Sequence, residues 1–180
     1  MSGIRVLAFT MALTCGCVTT PAAISNPTLL SLHRDYVECS NRQLGTRCND
    51  FFSQALMEVY AVDDFSAPAG SEPMDSYKII RHIEISDAWR WLGSARDQAV
   101  LATAQRLANK DTAVLAVRRG MTTGHLALIL PGALQASKRW GMLLPNSLSF
   151  TASNAQACYV DKKLSYAFRN PDDVVLYRRR

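Results

Sequence analysis

The hydrophobic pattern changes period near residue 111, and that change limits the folds open to the chain. Before it, apolar residues recur at helical spacing: Phe51, Phe52, Ala55, Leu56, Val59 and Tyr60 fall on one face. Thr46 stands where an N-cap belongs, and Asp50 lies in the first turn, where the helix dipole favours negative charge. "SDAWRWLGS" (86–94) and "ARDQAVLATAQRLANK" (95–110) continue as a helical middle, the second stretch rich in good helix formers. Beyond residue 111 the runs become short and β-rich. "TAVLAVRR" (112–119) and "HLALILPG" (125–132) read as antiparallel neighbours across "GMTTG". Further strands are expected near 147–151, 157–160, 164–168 and 173–178. Helices first and strands afterwards predict an α+β domain.

The chain has 180 residues, 48% of them hydrophobic and 19% charged, enough for one domain with a real core. No internal repeat or low-complexity linker divides residues 30–180. Arg5 precedes "VLAFTMAL" (6–13), an apolar run of signal-peptide length and too short to span a bilayer. Gly16 before Cys17 resembles the end of a bacterial lipobox, although Thr14 stands where an aliphatic residue is usual. The division expected is a signal peptide or lipobox over 1–17, a Pro-, Ser- and Thr-containing tether over 18–30, and one domain over 31–180. That start predicts export to the periplasm, with membrane anchoring through a lipid on Cys17.

Export alters the arithmetic of the five cysteines, because an oxidising compartment permits disulfides. Cys15 would leave with the signal and Cys17 would carry lipid. Cys39, Cys48 and Cys158 would remain, an odd number. A Cys39–Cys158 bridge would tie the start of the domain to its end and leave Cys48 unpaired, although sequence alone does not fix pairing. Cys48 can thus be read as a buried hydrophobe, half of a disulfide, or a nucleophile.

The nucleophile reading has a physical basis. A cysteine at a helix start has its thiolate favoured by unpaired N–H groups and the dipole, and the same N–H groups can hold an oxyanion. His125 opens a strand directly after Gly124 and could serve as the base. The plainer readings are a packing cysteine and a histidine that ends a strand. His33 lies ahead of the segment that carries Cys48, and His82 lies within "KIIRHIEI". No zinc-ligand spacing is present, so neither a metal nor a cofactor is expected. The net charge of +5 could attract an acidic polymer, but the basic residues are scattered and no nucleic-acid-binding signature occurs, so no nucleic-acid partner is expected.

"RCNDFF" (47–52) followed in order by "TTGHLALILPG" (122–132) resembles the papain-like NlpC-type and CHAP-type cell-wall peptidases. The layout over roughly 40–178 is similar to the small peptidoglycan amidase effectors of type VI secretion. The resemblance implies a papain-like fold, with a nucleophile helix packed on an antiparallel sheet. It also implies cleavage of an amide bond in peptidoglycan stem peptides through a thioester, without a cofactor. Cys48 would attack, and His125 would act as base and then acid. Asn146, with Ser147 in reserve, would orient the histidine. The segments 63–78 and 132–146 would wall the cleft, and a protein inhibitor is a further partner class for such an enzyme. A signal peptide departs from a secreted effector and suits a resident envelope enzyme better. Two other readings use the same residues: an acyltransferase with the same dyad, or a non-catalytic envelope lipoprotein that binds cell wall or a partner.

Overall fold

A computed structural model describes residues 26–118, 124–150 and 155–180. The expected signal peptide, Cys15, Cys17 of the expected lipobox and the expected tether up to residue 25 lie outside the described residues. Helix α1, Pro27–Asn41, begins where Asn26 accepts hydrogen bonds from the N–H groups of Thr28 and Leu29, with a proline in the first turn. The last residues assigned to the tether are therefore helix, and His33 belongs to the domain.

After α1 the chain reverses through Gln43 and Gly45, both at positive φ, into a 3-10 turn over Gly45–Asn49. Helix α2, Asp50–Tyr60, follows directly. The helix thus starts later than a Thr46 cap implies, and Cys48 sits in the tight turn before it. Helix α3 covers Ser76–Ile85, with the Asp75 side chain accepting from the Lys78 N–H. The stretch "SDAWRWLGS" contains strand β1, Trp89–Ser94, instead of a helix. Its tryptophans suit a pleated surface, and pairing with the last strand overrides the helical reading. Helix α4, Gln98–Ala108, is capped by Asp97.

Strands β2 (Val114–Arg118) and β3 (His125–Ile129) are antiparallel neighbours, as the sequence implies. A small hairpin, β4 (Gln135–Ser137) with β5 (Met142–Leu144), leads into β6, Asn146–Ser149. Strands β7 (Tyr159–Lys163) and β8 (Val174–Arg179) complete the order, while the strand expected over 164–168 is a 3-10 turn, Leu164–Tyr166. Six strands form one antiparallel sheet in the order β1-β8-β2-β3-β6-β7. The architecture is α+β.

Helices cover both faces of this sheet, and strand alternation assigns each residue to one of them. Leu128 lies opposite Leu148, so Leu126 and Phe150, two residues away on either side, share their face. Phe150 stacks on Tyr36 of α1 at 5.1 Å, and the Tyr60 hydroxyl at the end of α2 donates to the Ile129 carbonyl at 2.6 Å. Helices α1, α2 and α3 therefore cover this face. The other face carries α4. Gln105 of that helix donates to the Leu130 carbonyl and accepts from the Asn146 N–H. Val100 lies so close to Gly93 of β1 that any Cβ there would meet its methyl at 2.4 Å. The β4–β5 hairpin and the Leu164–Tyr166 turn join this second layer through Ser137 and Ser165.

Candidate functional site

Cys48 is bonded to Cys39, with their Cα atoms 5.8 Å apart. The backward turn at Gln43 and Gly45 brings the 3-10 turn against the end of α1, which sets the two sulfurs face to face. This overturns the expected Cys39–Cys158 bridge: Cys158 stands outside the disulfide and is buried. The bridge joins residues only nine positions apart, within reach because the chain reverses between them. A disulfide-bonded sulfur carries no thiolate, so Cys48 in this state is a structural residue and not a nucleophile.

The surroundings of Cys48 are mainly apolar. Tyr36, Phe52, Met74, Ile79 and Phe150 line a narrow cavity beside it, together with Asn49 and Ser76. Burial, followed by the Cys158 thiol, pushes the Tyr36 hydroxyl above the ordinary phenol range. His33 packs near Phe150, and its Nε2 lies 3.1 Å from the Cys158 carbonyl. His33, Tyr36 and Cys158 thus form a packed group on the α1 side.

His125 is turned the other way. Gly124, at positive φ, faces α3 so closely that a Cβ would meet the Tyr77 nitrogen at 2.7 Å. Within β3, Leu126 shares the α1–α3 face with Leu128, so His125 points to the opposite face. The contacts of its ring agree. It lies edge-on to the fully buried Phe168, centroids 5.0 Å apart, and the Arg118 guanidinium stands over the same Phe168 ring. Burial, then the charge of Arg118, holds the imidazole below its ordinary pKa, and its Nε2 is buried without a hydrogen-bond partner. The expected Cys48–His125 pair is therefore not assembled: α2 runs beside β3, but the two side chains leave opposite faces of the sheet.

Asn146 and Ser147 do not orient His125. The Asn146 carbonyl accepts from the Leu130 N–H, at the far end of β3, about 16 Å along the strand from His125 at roughly 3.3 Å per residue. Its side-chain amide donates to the Pro131 carbonyl and to Asp161, and the residue is buried. Ser147 lies opposite Ile129, and its hydroxyl bonds with the Tyr159 hydroxyl and the Lys162 carbonyl. Both residues tie β6 to its neighbours. Asn146 also limits position 132, where a Cβ on Gly132 would meet its amide at 3.1 Å.

Of the two segments expected to wall a cleft, 63–78 borders the Cys48 cavity through Met74 and Ser76. Within 132–146, Arg139 lines a different and wider cleft of about 760 Å³, with Tyr166, Ala167, Arg169 and Asn170. Sequence reading passed over this site because its basic residues are far apart in the chain and converge only when the hairpin meets the 3-10 turn. Among the described residues no cluster of His, Cys, Asp and Glu could hold a metal ion, and no helix is long and apolar enough to cross a membrane. Comparison with protein-family models and with curated proteins finds no match.

Proposed function

We propose that this chain is an exported cell-envelope domain that binds peptidoglycan stem peptides without cleaving them. The observation that carries this reading is the Cys39–Cys48 bond, which occupies the sulfur that catalysis would need. A disulfide closing a nine-residue separation also suits an oxidising compartment, in line with the signal-like start. The net charge of +5 favours a wall whose stems carry carboxylates.

The second reading is the cysteine-dependent amidase or acyltransferase of a papain-like fold. One observation favours it: Cys48 opens the segment leading into α2, and α2 is anchored alongside β3 by the Tyr60–Ile129 hydrogen bond. For that chemistry, a thiol reductant would have to deliver two electrons to the Cys39–Cys48 bond. His125 would also have to leave Phe168 and cross to the α2 face.

One experiment separates the two. The purified full chain is incubated with isolated sacculi, with and without dithiothreitol, then sedimented, and the supernatant is searched for released fragments by mass spectrometry. The binding reading predicts co-sedimentation and no fragments in either condition. Fragments released only with reductant, and lost in Cys48→Ala, would establish the enzyme instead. Protein left in the supernatant with intact sacculi would refute both.

A further inference from the structure

The cleft between the β4–β5 hairpin and the Leu164–Tyr166 turn has fixed walls, and its cations pair with no carboxylate among the described residues. The hairpin is tied to the turn by Ser137 bonding Ser165 between hydroxyls, by the Arg139 guanidinium donating to the Ser165 carbonyl, and by the Lys163 ammonium donating to the Ala136 carbonyl. A tight turn closes the hairpin end, where the Gly141 N–H donates to the Ser137 carbonyl. These bonds join segments about thirty residues apart in sequence, so the cleft is held open by the fold and does not depend on a ligand to form.

Its charge is one-sided. Arg139 and Arg169 line it, and Lys162 lies over the ring of Tyr166, 5.0 Å from the centroid. None of these three cations has a carboxylate partner among the described residues. Nearby acids are mostly engaged: Asp161 bonds to Asn146, and Asp172 is paired with Arg96. Asp161, bonded to a neutral amide, and Asp173 have no cationic partner among the described residues, so the three cations exceed these carboxylates by one. Tyr166 presents an exposed aromatic face, and Asn170 adds an amide. Two planar guanidinium groups match carboxylates through paired hydrogen bonds, while an aromatic face suits the apolar side of a sugar or side chain.

We infer that this cleft is the docking site for a carboxylate-bearing peptide or glycopeptide, with Arg139 and Arg169 holding the carboxylate and Tyr166 packing on the adjoining apolar surface. The inference rests on the binding reading above and names where on the domain that binding occurs. It places recognition on the α4 face of the sheet, away from Cys48. Weak attraction at a distance comes from the scattered positive charge, and selection comes from the geometry of the two guanidinium groups.

The test is calorimetric titration of the full chain with soluble disaccharide-peptide fragments prepared from sacculi, beside the same fragments with their carboxylates amidated. Arg169→Glu is the first variant, since Arg169 is exposed and its side chain makes no hydrogen bond among the described residues. Arg139→Gln is the second, with circular dichroism confirming the fold of each. The expected result is at least tenfold weaker binding for Arg169→Glu, for Arg139→Gln and for the amidated fragments, with wild-type affinity falling as salt is raised. Tight wild-type binding that both variants retain would overturn the site but leave the binding reading in place. Equal binding of amidated fragments would overturn carboxylate recognition. Absence of wild-type binding to fragments and to sacculi would overturn the binding reading itself. Binding to phosphatidylglycerol vesicles without binding to fragments would assign the cleft to a lipid surface and overturn the inference.

Discussion

The two faces of the sheet are built differently, although the same strands supply both. The α1–α3 face is closed by a disulfide and by stacked aromatic rings, Tyr36 on Phe150 and Phe65 on Trp89. The α4 face is knit by side-chain hydrogen bonds from Gln105, Ser137 and Ser147, and it opens into a basic cleft. The first face locks its polar and sulfur chemistry inside, whereas the second keeps guanidinium groups in solvent. Proximity in topology is therefore a poor guide to chemistry: α2 and β3 are joined by a hydrogen bond, yet Cys48 packs against the α1–α3 face while His125 points to the other.

The comparison can be broken most forcefully at Phe168, the fully buried ring against His125 and Arg118. Phe168→Ala should cost about 3–5 kcal/mol in urea unfolding, because it leaves a large cavity under the α4 face. It should also raise the His125 pKa in an NMR titration, since burial is the main cause of its depression. A destabilised variant with an unshifted His125 would place the ring elsewhere.

A smaller loss is expected on the other face. Replacing both Cys39 and Cys48 by serine removes a short-loop cross-link, worth about 2–3 kcal/mol by the chain-entropy argument. Unfolding in urea should show that loss, while binding to sacculi in native buffer stays unchanged. Loss of binding with stability preserved would make the disulfide part of the recognition surface.

The smallest effect concerns pH. His125 is held below the ordinary imidazole value of 6.5, first by burial and then by Arg118. As pH falls below about 6.5 the unfolded chain takes up a proton that the folded chain refuses, so stability is full above that value and declines toward the folded pKa. His125→Gln should flatten this part of the acid-side decline, measured as the change in urea midpoint between neutral and mildly acidic buffer. An unchanged slope would show that His125 does not titrate against the fold.

Much of the sheet was legible because β2, β3 and β8 carry short apolar runs flanked by turns. The strand at Trp89–Ser94 was not, since its pairing with β8 lies some eighty residues away and no local pattern announces it. The order of Cys48 and His125 was readable, and so was their placement on adjacent elements. Which face His125 takes was not, because it depends on how β3 is set against the helices by its register with β2 and β6. Disulfide partnership depended in the same way on the turn at Gln43 and Gly45, whose backbone angles carry no clear sequence signature. The basic cleft was invisible for a third reason: Arg139, Lys162 and Arg169 meet only through the hairpin's contacts with Ser165.

The state of Cys48 tests the account most directly. The native protein, purified without reductant, is treated with iodoacetamide near neutral pH, quenched, denatured, labelled with a second alkylating agent and digested for mass spectrometry. The account predicts a Cys39–Cys48 linked peptide, and a Cys158 that takes the second label only, after denaturation exposes it. Rapid native alkylation of Cys48, with Cys39 linked to Cys158 or free, would contradict it and return Cys48 to the role of nucleophile.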